Sequence, residues 1–396
     1  MGSRGIHAGP LEEGELAISP SSRTHAAAAL GTLALLWLGP ARATDQSTGF
    51  FPHAIALADL DGDGVPDIVV PASAERKVTV LLSDGKLGVR SNHSYPVGIG
   101  PTWVETADVD GDGRMDAITT NTGGGTLTVH LGDGTGGFGP PSEIGGVAGA
   151  VSVVAGDFRR RGQPDLAVLQ VIGERVLMLE NDGRGRFTPA RSYRVGRGPH
   201  IIAKTDLNAD RIPDLVVGSL GPHTLSVLMG NGDGTFREPS AVQLGRFPHY
   251  MAFGDWNRDG HVDVAVVVAG EDAVDILTGD GRGTLVKIGS VAVGTNPHGL
   301  AAGDFTGDGV PDLVVANRSS RDLTVLVGDG RGGFVPRRPI LTEQDVIAVA
   351  TADLDKDGRL DLALVSASHN AVVILRGTGG GDFELPGAPG ASKEGS

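Results

Sequence analysis

Cysteine is absent from this 396-residue chain, which excludes disulfides, zinc–thiolate sites and a lipid-anchored N-terminal cysteine. An excess of basic charge is absent too. With 33 Lys and Arg against 48 Asp and Glu the formal charge is −15, which argues against nucleic acid as a partner. Aromatic residues make up only 4%. No segment shows the 3.6-residue apolar period of an amphipathic helix. There is no G-x-S-x-G, no H-E-x-x-H and no phosphate loop, so no catalytic signature is recognised. No apolar run reaches the roughly 20 residues that a membrane-spanning helix needs.

The longest apolar run is residues 26–38, followed by Pro40 and the small-x-small triplet Ala41-Arg42-Ala43. It reads as a secretory signal peptide cleaved after Ala43, with residues 1–43 as leader. Glu12, Glu13 and Glu15 are unusual before such a run, and a start codon placed too early accounts for them. A buried apolar segment is the alternative. Export would bring the chain into millimolar Ca²⁺, and the expected location is secreted, periplasmic or cell-surface.

Glycine is abundant, at 63 residues, and acidic residues are clustered. Residues 59–67 read D-L-D-G-D-G-V-P-D, with carboxylates at loop positions 1, 3, 5 and 9 and glycine at position 6. Carboxylates this dense repel one another unless a hard cation lies among them, and Ca²⁺ takes six to eight oxygens at about 2.3–2.6 Å. The stretch recurs with its first Asp at 59, 108, 157, 206, 255, 304 and 353, a period of 49 without insertion or deletion. A fixed period in this range signals a repeat architecture.

Each repeat holds four short segments. An apolar one ends in a small residue just before the loop (Ala58, Ala107, Gly156, Thr205, Gly254, Gly303, Ala352). A β-branched run follows the loop, as in Ile68-Val69-Val70. A third segment alternates with period two, as in Val78-Thr79-Val80, and a weaker fourth comes after a glycine turn. A strand directly after position 9 rules out an EF-hand, which needs flanking helices and a glutamate at position 12. Four antiparallel strands repeated seven times predict an all-β fold, a seven-bladed β-propeller over residues 44–386 with a flexible tail at 387–396. The D-x-D-x-D-G-x-x-D motif resembles that of the FG-GAP/VCBS-repeat family, which includes the integrin alpha-chain head. The residues after Phe383 are rich in Gly and Pro, so residues 45–49 are expected to supply the outermost strand of the last blade. The alternative is a stub strand at residues 384–386 with a loose N-terminus.

The loops differ in quality. The first (Asp59, Asp61, Asp63, Asp67), second (Asp108, Asp110, Asp112, Asp116) and seventh (Asp353, Asp355, Asp357, Asp361) are complete. The fifth (Asp255, Asn257, Asp259, Asp263) carries one amide oxygen, which hard cations accept. The sixth (Asp304, Thr306, Asp308, Asp312) offers a hydroxyl and is expected to be weaker. The fourth (Asp206, Asn208, Asp210, Asp214) has Arg211 where glycine is wanted, which predicts a strained or altered turn. The third reads D-F-R-R-R-G-Q-P-D and cannot hold Ca²⁺. Arg159 and Arg161 either pair with Asp157 and Asp165 or point to solvent. Four to six Ca²⁺ ions, mainly structural, are expected.

In a propeller these loops share one face. The resemblance implies that ligands bind on the opposite face. There, six residues before the first Asp, stand His53, His200, His249 and His298, each after a proline. They could ring the mouth of a central channel and bind a transition metal, an anion or a glycan, with Trp103 and Tyr250 adding a stacking surface. Alternatively each imidazole bonds its neighbour's backbone and the aromatic pair is inter-blade packing. The reading that follows is a monomeric, calcium-stabilised binding or adhesion propeller that engages a protein or carbohydrate, without a catalytic role. The alternative is an extracellular lyase or hydrolase acting on polysaccharide or a small molecule through a metal at the histidine-lined mouth.

Overall fold

The computed structural model describes residues 46–47, 54–342 and 344–385. The expected leader and tail, residues 45, 48 and 49, and His53 lie outside the described residues. Seven antiparallel sheets follow one another, the three inner strands of each in sequence order from the inside outward. Blade 4 is typical: Pro199–Thr205 is innermost, then Asp214–Ser219, Thr224–Leu228 and, at the rim, Ser240–Gln243. The innermost strands of successive blades touch around a ring that closes from the last blade to the first. The fold is thus the seven-bladed β-propeller that the 49-residue period predicts. No α-helix occurs among the described residues.

The second strand of every blade is buried along its whole length. This is why Ile68-Val69-Val70 reads as a continuous apolar run: side chains on both faces of the strand meet another blade. Ile68 and Val70 pack with Ala363 and Val365 of blade 7, while Val69 packs with Val104 and Ala117 of blade 2. The same division recurs around the ring, so the seven apolar clusters correspond to the seven blade–blade interfaces. The small residues closing the inner strands have a steric reason. A Cβ on Gly156 would collide with the Phe158 ring, and one on Gly254 with Trp256.

Ring closure combines the two routes that the sequence suggests. Gln46–Ser47 pairs with Ala371 and Val372, and Phe383–Glu384 pairs with Arg376 and Gly377 on the same third strand of blade 7. The rim of that blade is therefore divided between an early and a late segment of chain.

Six of the seven inner strands, those of blades 2 to 7, also carry a β-bulge near their start. Pairing jumps from Pro199 to Ile201, from Pro297 to Gly299, from Pro101 to Trp103, from Ala150 to Ser152 and from Val346 to Ala348. In blade 5 the jump from Pro248 to Met251 spans both His249 and Tyr250. A bulge re-aims the side chain it leaves unpaired. Thr102, Val151, His200, His249, His298 and Ile347 are those residues.

One core position departs from the repeat. His130 is fully buried beside Tyr95 and Phe138, where the equivalent in each other blade is leucine (Leu81, Leu179, Leu228, Leu277, Leu326, Leu375). Burial pushes its pKa down to about 4. An unfolded chain takes up this proton below about pH 6.5, whereas the folded one resists until about pH 4, so the site loses stability as pH falls through that window. His130→Leu is expected to raise the melting temperature. It should also flatten the acid side of the stability profile by up to roughly 1.4 kcal/mol per pH unit between those values, read by denaturant titration from pH 7 to 4.5.

Candidate metal loops and the axial mouth

In the first loop each carboxylate accepts from backbone. Asp59 receives Gly62 N at 2.7 Å and Gly64 N at 2.9 Å, Asp61 receives Asp63 N at 3.1 Å, and Asp63 receives Val65 N at 2.8 Å. These bonds curl the chain so that positions 4 and 6 both adopt left-handed backbone, at φ +78° for Gly62 and +79° for Gly64. Sequence reading anticipates the glycine at position 6 but not position 4. At position 4, Arg160, Ala209, Arg258 and Lys356 take positive φ without being glycine. Arg211 at position 6 of the fourth loop is forced to φ +63°, the strain its identity predicts.

Asp67, at position 9, has a different task. It is fully buried, and its two oxygens accept Leu60 N at 3.0 Å and Ser83 N at 2.8 Å. One carboxylate thereby ties the loop to the end of the third strand. Six blades repeat both bonds through Asp67, Asp116, Asp214, Asp263, Asp312 and Asp361. Burial, opposed by these N–H bonds, pushes the carboxyls of Asp67, Asp116 and Asp361 up to about 6. The signal for this clamp lies in the third copy, which loses the carboxylates at positions 3 and 5 yet keeps Asp165.

That third loop shows what replaces a cation. Arg159 grips Asp165 with Nε at 2.8 Å and Nη2 at 2.6 Å, bonds the Asn181 carbonyl at 2.7 Å, and reaches Glu180 at 3.1 Å. Arg161 is exposed, and its backbone N–H bonds Asp157 at 2.7 Å. So the two arginines divide the two roles that the sequence leaves open.

Elsewhere the donor sets are all oxygen. Carboxylate oxygens of Asp59, Asp61 and Asp67 lie within 4.8 Å of one another, as do those of Asp108, Asp110 and Asp116, and of Asp353, Asp355 and Asp357. Three oxygens this close suit a hard cation. Asp63, Asp112 and Asp361 stand outside these groups. In the fourth and fifth loops the amides turn nitrogen inward, Asn208 to Asp210 at 2.8 Å and Asn257 to Asp259 at 2.9 Å. Asp206, Asp214, Asp255 and Asp263 complete those loops. In the sixth, Thr306 donates to Asp312 at 3.1 Å, Asp304 accepts Gly307 N at 2.7 Å, and Asp308 accepts Val310 N at 2.8 Å. Arginines already approach all three complete loops: Arg90 meets Asp61, Arg114 lies 3.6 Å from Asp112, and Arg376 lies 3.2 Å from Asp355 and 2.9 Å from Asp357.

On the opposite face the bulged residues converge. His200 Nε2 and His249 Nδ1 are 3.0 Å apart, the His249 and His298 rings are 4.7 Å apart, and His298 Nδ1 donates to the Ile347 carbonyl at 2.8 Å. Thr102 likewise bonds the Val151 carbonyl at 3.3 Å. Burial lowers the pKa of His200; burial and then the neighbouring imidazoles bring that of His249 down to about 3. These rings are neutral at pH 7. Trp103 of blade 2 meets Tyr250 of blade 5 at 6.0 Å between centroids, so the two cross the axis. Tyr250 in turn lies 5.6 Å from His298. Behind them Glu105 and Lys204 pair across the channel at 3.5 Å. A cavity of about 180 Å³ is left at the mouth, walled by Trp103, Tyr250, His200 and His298 with Thr102, Val151 and Ile201.

Residues 59–119, 108–168, 206–266, 255–315 and 304–364 match the FG-GAP-like repeat. No curated protein matches the chain. Among solved structures, the BBS1N chain crystallised with ARL6DN is similar at 14% identity and a TM-score of 0.61, covering 88% of this chain and 99% of that one. Virginiamycin B lyase from Staphylococcus aureus is similar at 13% and 0.56, covering 85% and 97%. An Agrocybe aegerita lectin described as recognising non-reducing terminal N-acetylglucosamine is similar at 20% and 0.51, covering 74% and 81%. At these identities the likeness concerns the fold.

The arginine clamp makes a sharp contrast. Arg159→Ala leaves Asp165 buried without a counter-charge and is expected to cost about 3–5 kcal/mol. Arg161→Ala keeps the backbone bond to Asp157 and should stay within about 0.5 kcal/mol of the parent, both by chemical denaturation.

Proposed function

The chain belongs to the FG-GAP-like repeat family, and on that footing we propose that it is a secreted, calcium-stabilised binding propeller that engages a protein or glycan ligand on the face opposite its acidic loops. The observation that carries this reading is the contrast between the two faces. One holds clustered carboxylate oxygens already occupied in holding turns. The other holds a neutral mouth of aromatic and imidazole rings around a cavity. No helix among the described residues is long and apolar enough to cross a membrane.

Calcium would sit first in loops one, two and seven, where three carboxylate oxygens lie within 4.8 Å of one another, and less tightly in loops four, five and six, giving four to six ions in all. Loop three does not fit a metal, because Arg159 fills it. When bound, the ion supplies positive charge to the loop. It is no part of the ligand mouth, which lies on the other face.

A second reading, an extracellular enzyme with a metal at the mouth, draws on His298. Its Nδ1–H bond to a carbonyl is the orientation commonly seen behind a metal-ligating imidazole. Elemental analysis of the purified chain separates the two: Ca alone supports the binder, whereas stoichiometric Zn, Cu, Fe or Mn supports the enzyme.

Any ion bound only by the folded chain stabilises it by about 2.7 kcal/mol per site at a hundredfold excess over its dissociation constant. The melting temperature is expected to fall sharply in chelator and to recover with Ca²⁺ but not with Mg²⁺. An unchanged melting temperature would remove calcium from the account.

A further inference from the structure

We propose that the axial cavity is the ligand site of this binding propeller, and that it takes a single uncharged sugar ring, free or at the end of a glycan. The inference rests on the binding reading above and names its ligand class.

Size sets the first limit. A 150 Å³ cavity in another protein holds benzene, so about 180 Å³ admits one substituted six-membered ring. Pockets for larger ligands run to roughly 300–1,000 Å³. A peptide could place no more than one side chain here.

The walls set the second. Trp103 and Tyr250 offer aromatic surface, while the His200 and His298 imidazoles and the Thr102 hydroxyl lie on the same lining. A pyranose has the matching division, an apolar C–H face and an edge of hydroxyls. The Trp103 indole Nε1–H is buried and has no acceptor among the described residues. A buried donor of this kind is usually paired, and a sugar hydroxyl or ring oxygen would pair it.

Charge sets the third. No carboxylate, lysine or arginine lines the cavity, and the nearby Glu105 and Lys204 satisfy each other. An ionised ligand would be buried with no charged side chain on the cavity wall to meet it. A metal ion is also poorly served. His200 Nε2 and His249 Nδ1 face each other, and the three-residue groups able to hold an ion among the described residues are all aspartates of the opposite face.

Saturation-transfer NMR on the full chain tests this, using methyl glycosides of glucose, galactose, mannose, fucose, N-acetylglucosamine and N-acetylgalactosamine, with glucuronic acid as the charged control. At least one neutral sugar should receive saturation and glucuronic acid should not. Trp103→Phe, which keeps the ring and removes the N–H, should weaken binding at least tenfold at an unchanged melting temperature. Arg90→Ala on the other face should leave binding unaltered. Should Trp103→Phe fail to fold, Thr102→Val gives a second reading of the same wall, with the same loss expected. Binding that survives both substitutions would overturn the placement. Silence from every neutral sugar would overturn the inference, while a chelator-dependent melting temperature in the same sample would leave the calcium-stabilised propeller standing. Zinc binding lost in His298→Ala, with no sugar signal, would overturn it in favour of a metal.

Discussion

A buried carboxylate bonded to two backbone N–H groups is the constraint on which six of the seven blades depend. The aspartate at loop position 9 begins the second strand, holds the loop before it and reaches the end of the third strand, so in those blades one side chain sets three segments of the sheet. Its cost is desolvation of a negative charge, visible in the upward pull on its pKa. Two N–H bonds offset that cost in most blades. In blade 3 a guanidinium takes the place of one of them, and there the loop stands with no cation beside the protein's own. The acidic loop is therefore two devices in one: a clamp that is always present and a cluster of oxygens whose composition varies from blade to blade.

The inner strands make the second distinction. Their bulges take a repeated position out of the sheet and turn it to the axis, so a residue that would otherwise be interchangeable among blades becomes part of one shared lining. Because the blades do not all contribute the same side chain there, the ring has lost its sevenfold character at the mouth. Histidines occupy one arc, Thr102, Val151 and Ile347 another, and the Trp103–Tyr250 contact bridges across.

Much of this is legible from residues alone, and the limit has a physical form. A constant period is a property of the covalent chain, so the blade count and strand order can be read from Asp59 to Asp361 without coordinates. The strain at Arg211 can be read as well, because a left-handed turn has a known residue preference. The double bond of Asp67 could not be separated from metal ligation, since both roles call for the same carboxylate at the same place. The meeting of Trp103 with Tyr250 was hidden for another reason: they are neighbours only through the curvature of a closed ring, which leaves no mark on spacing. The inward turn of Arg159 and outward turn of Arg161 likewise depend on Asn181 and Glu180, which the third strand brings from outside the loop.

The divided rim of blade 7 bears on the order in which the molecule assembles. Gln46–Ser47 finds its partner only when Ala371 and Val372 exist, so the earliest described strand waits for almost the latest. Contacts of such separation form slowly, because the intervening chain must be ordered first. During synthesis, which proceeds from the N-terminus at about 5–20 residues per second, six blades can therefore pair and stack as an open arc while the seam stays unmade. The ring is completed in a single late event, and until then blade 1 presents to its surroundings the face that blade 7 will cover.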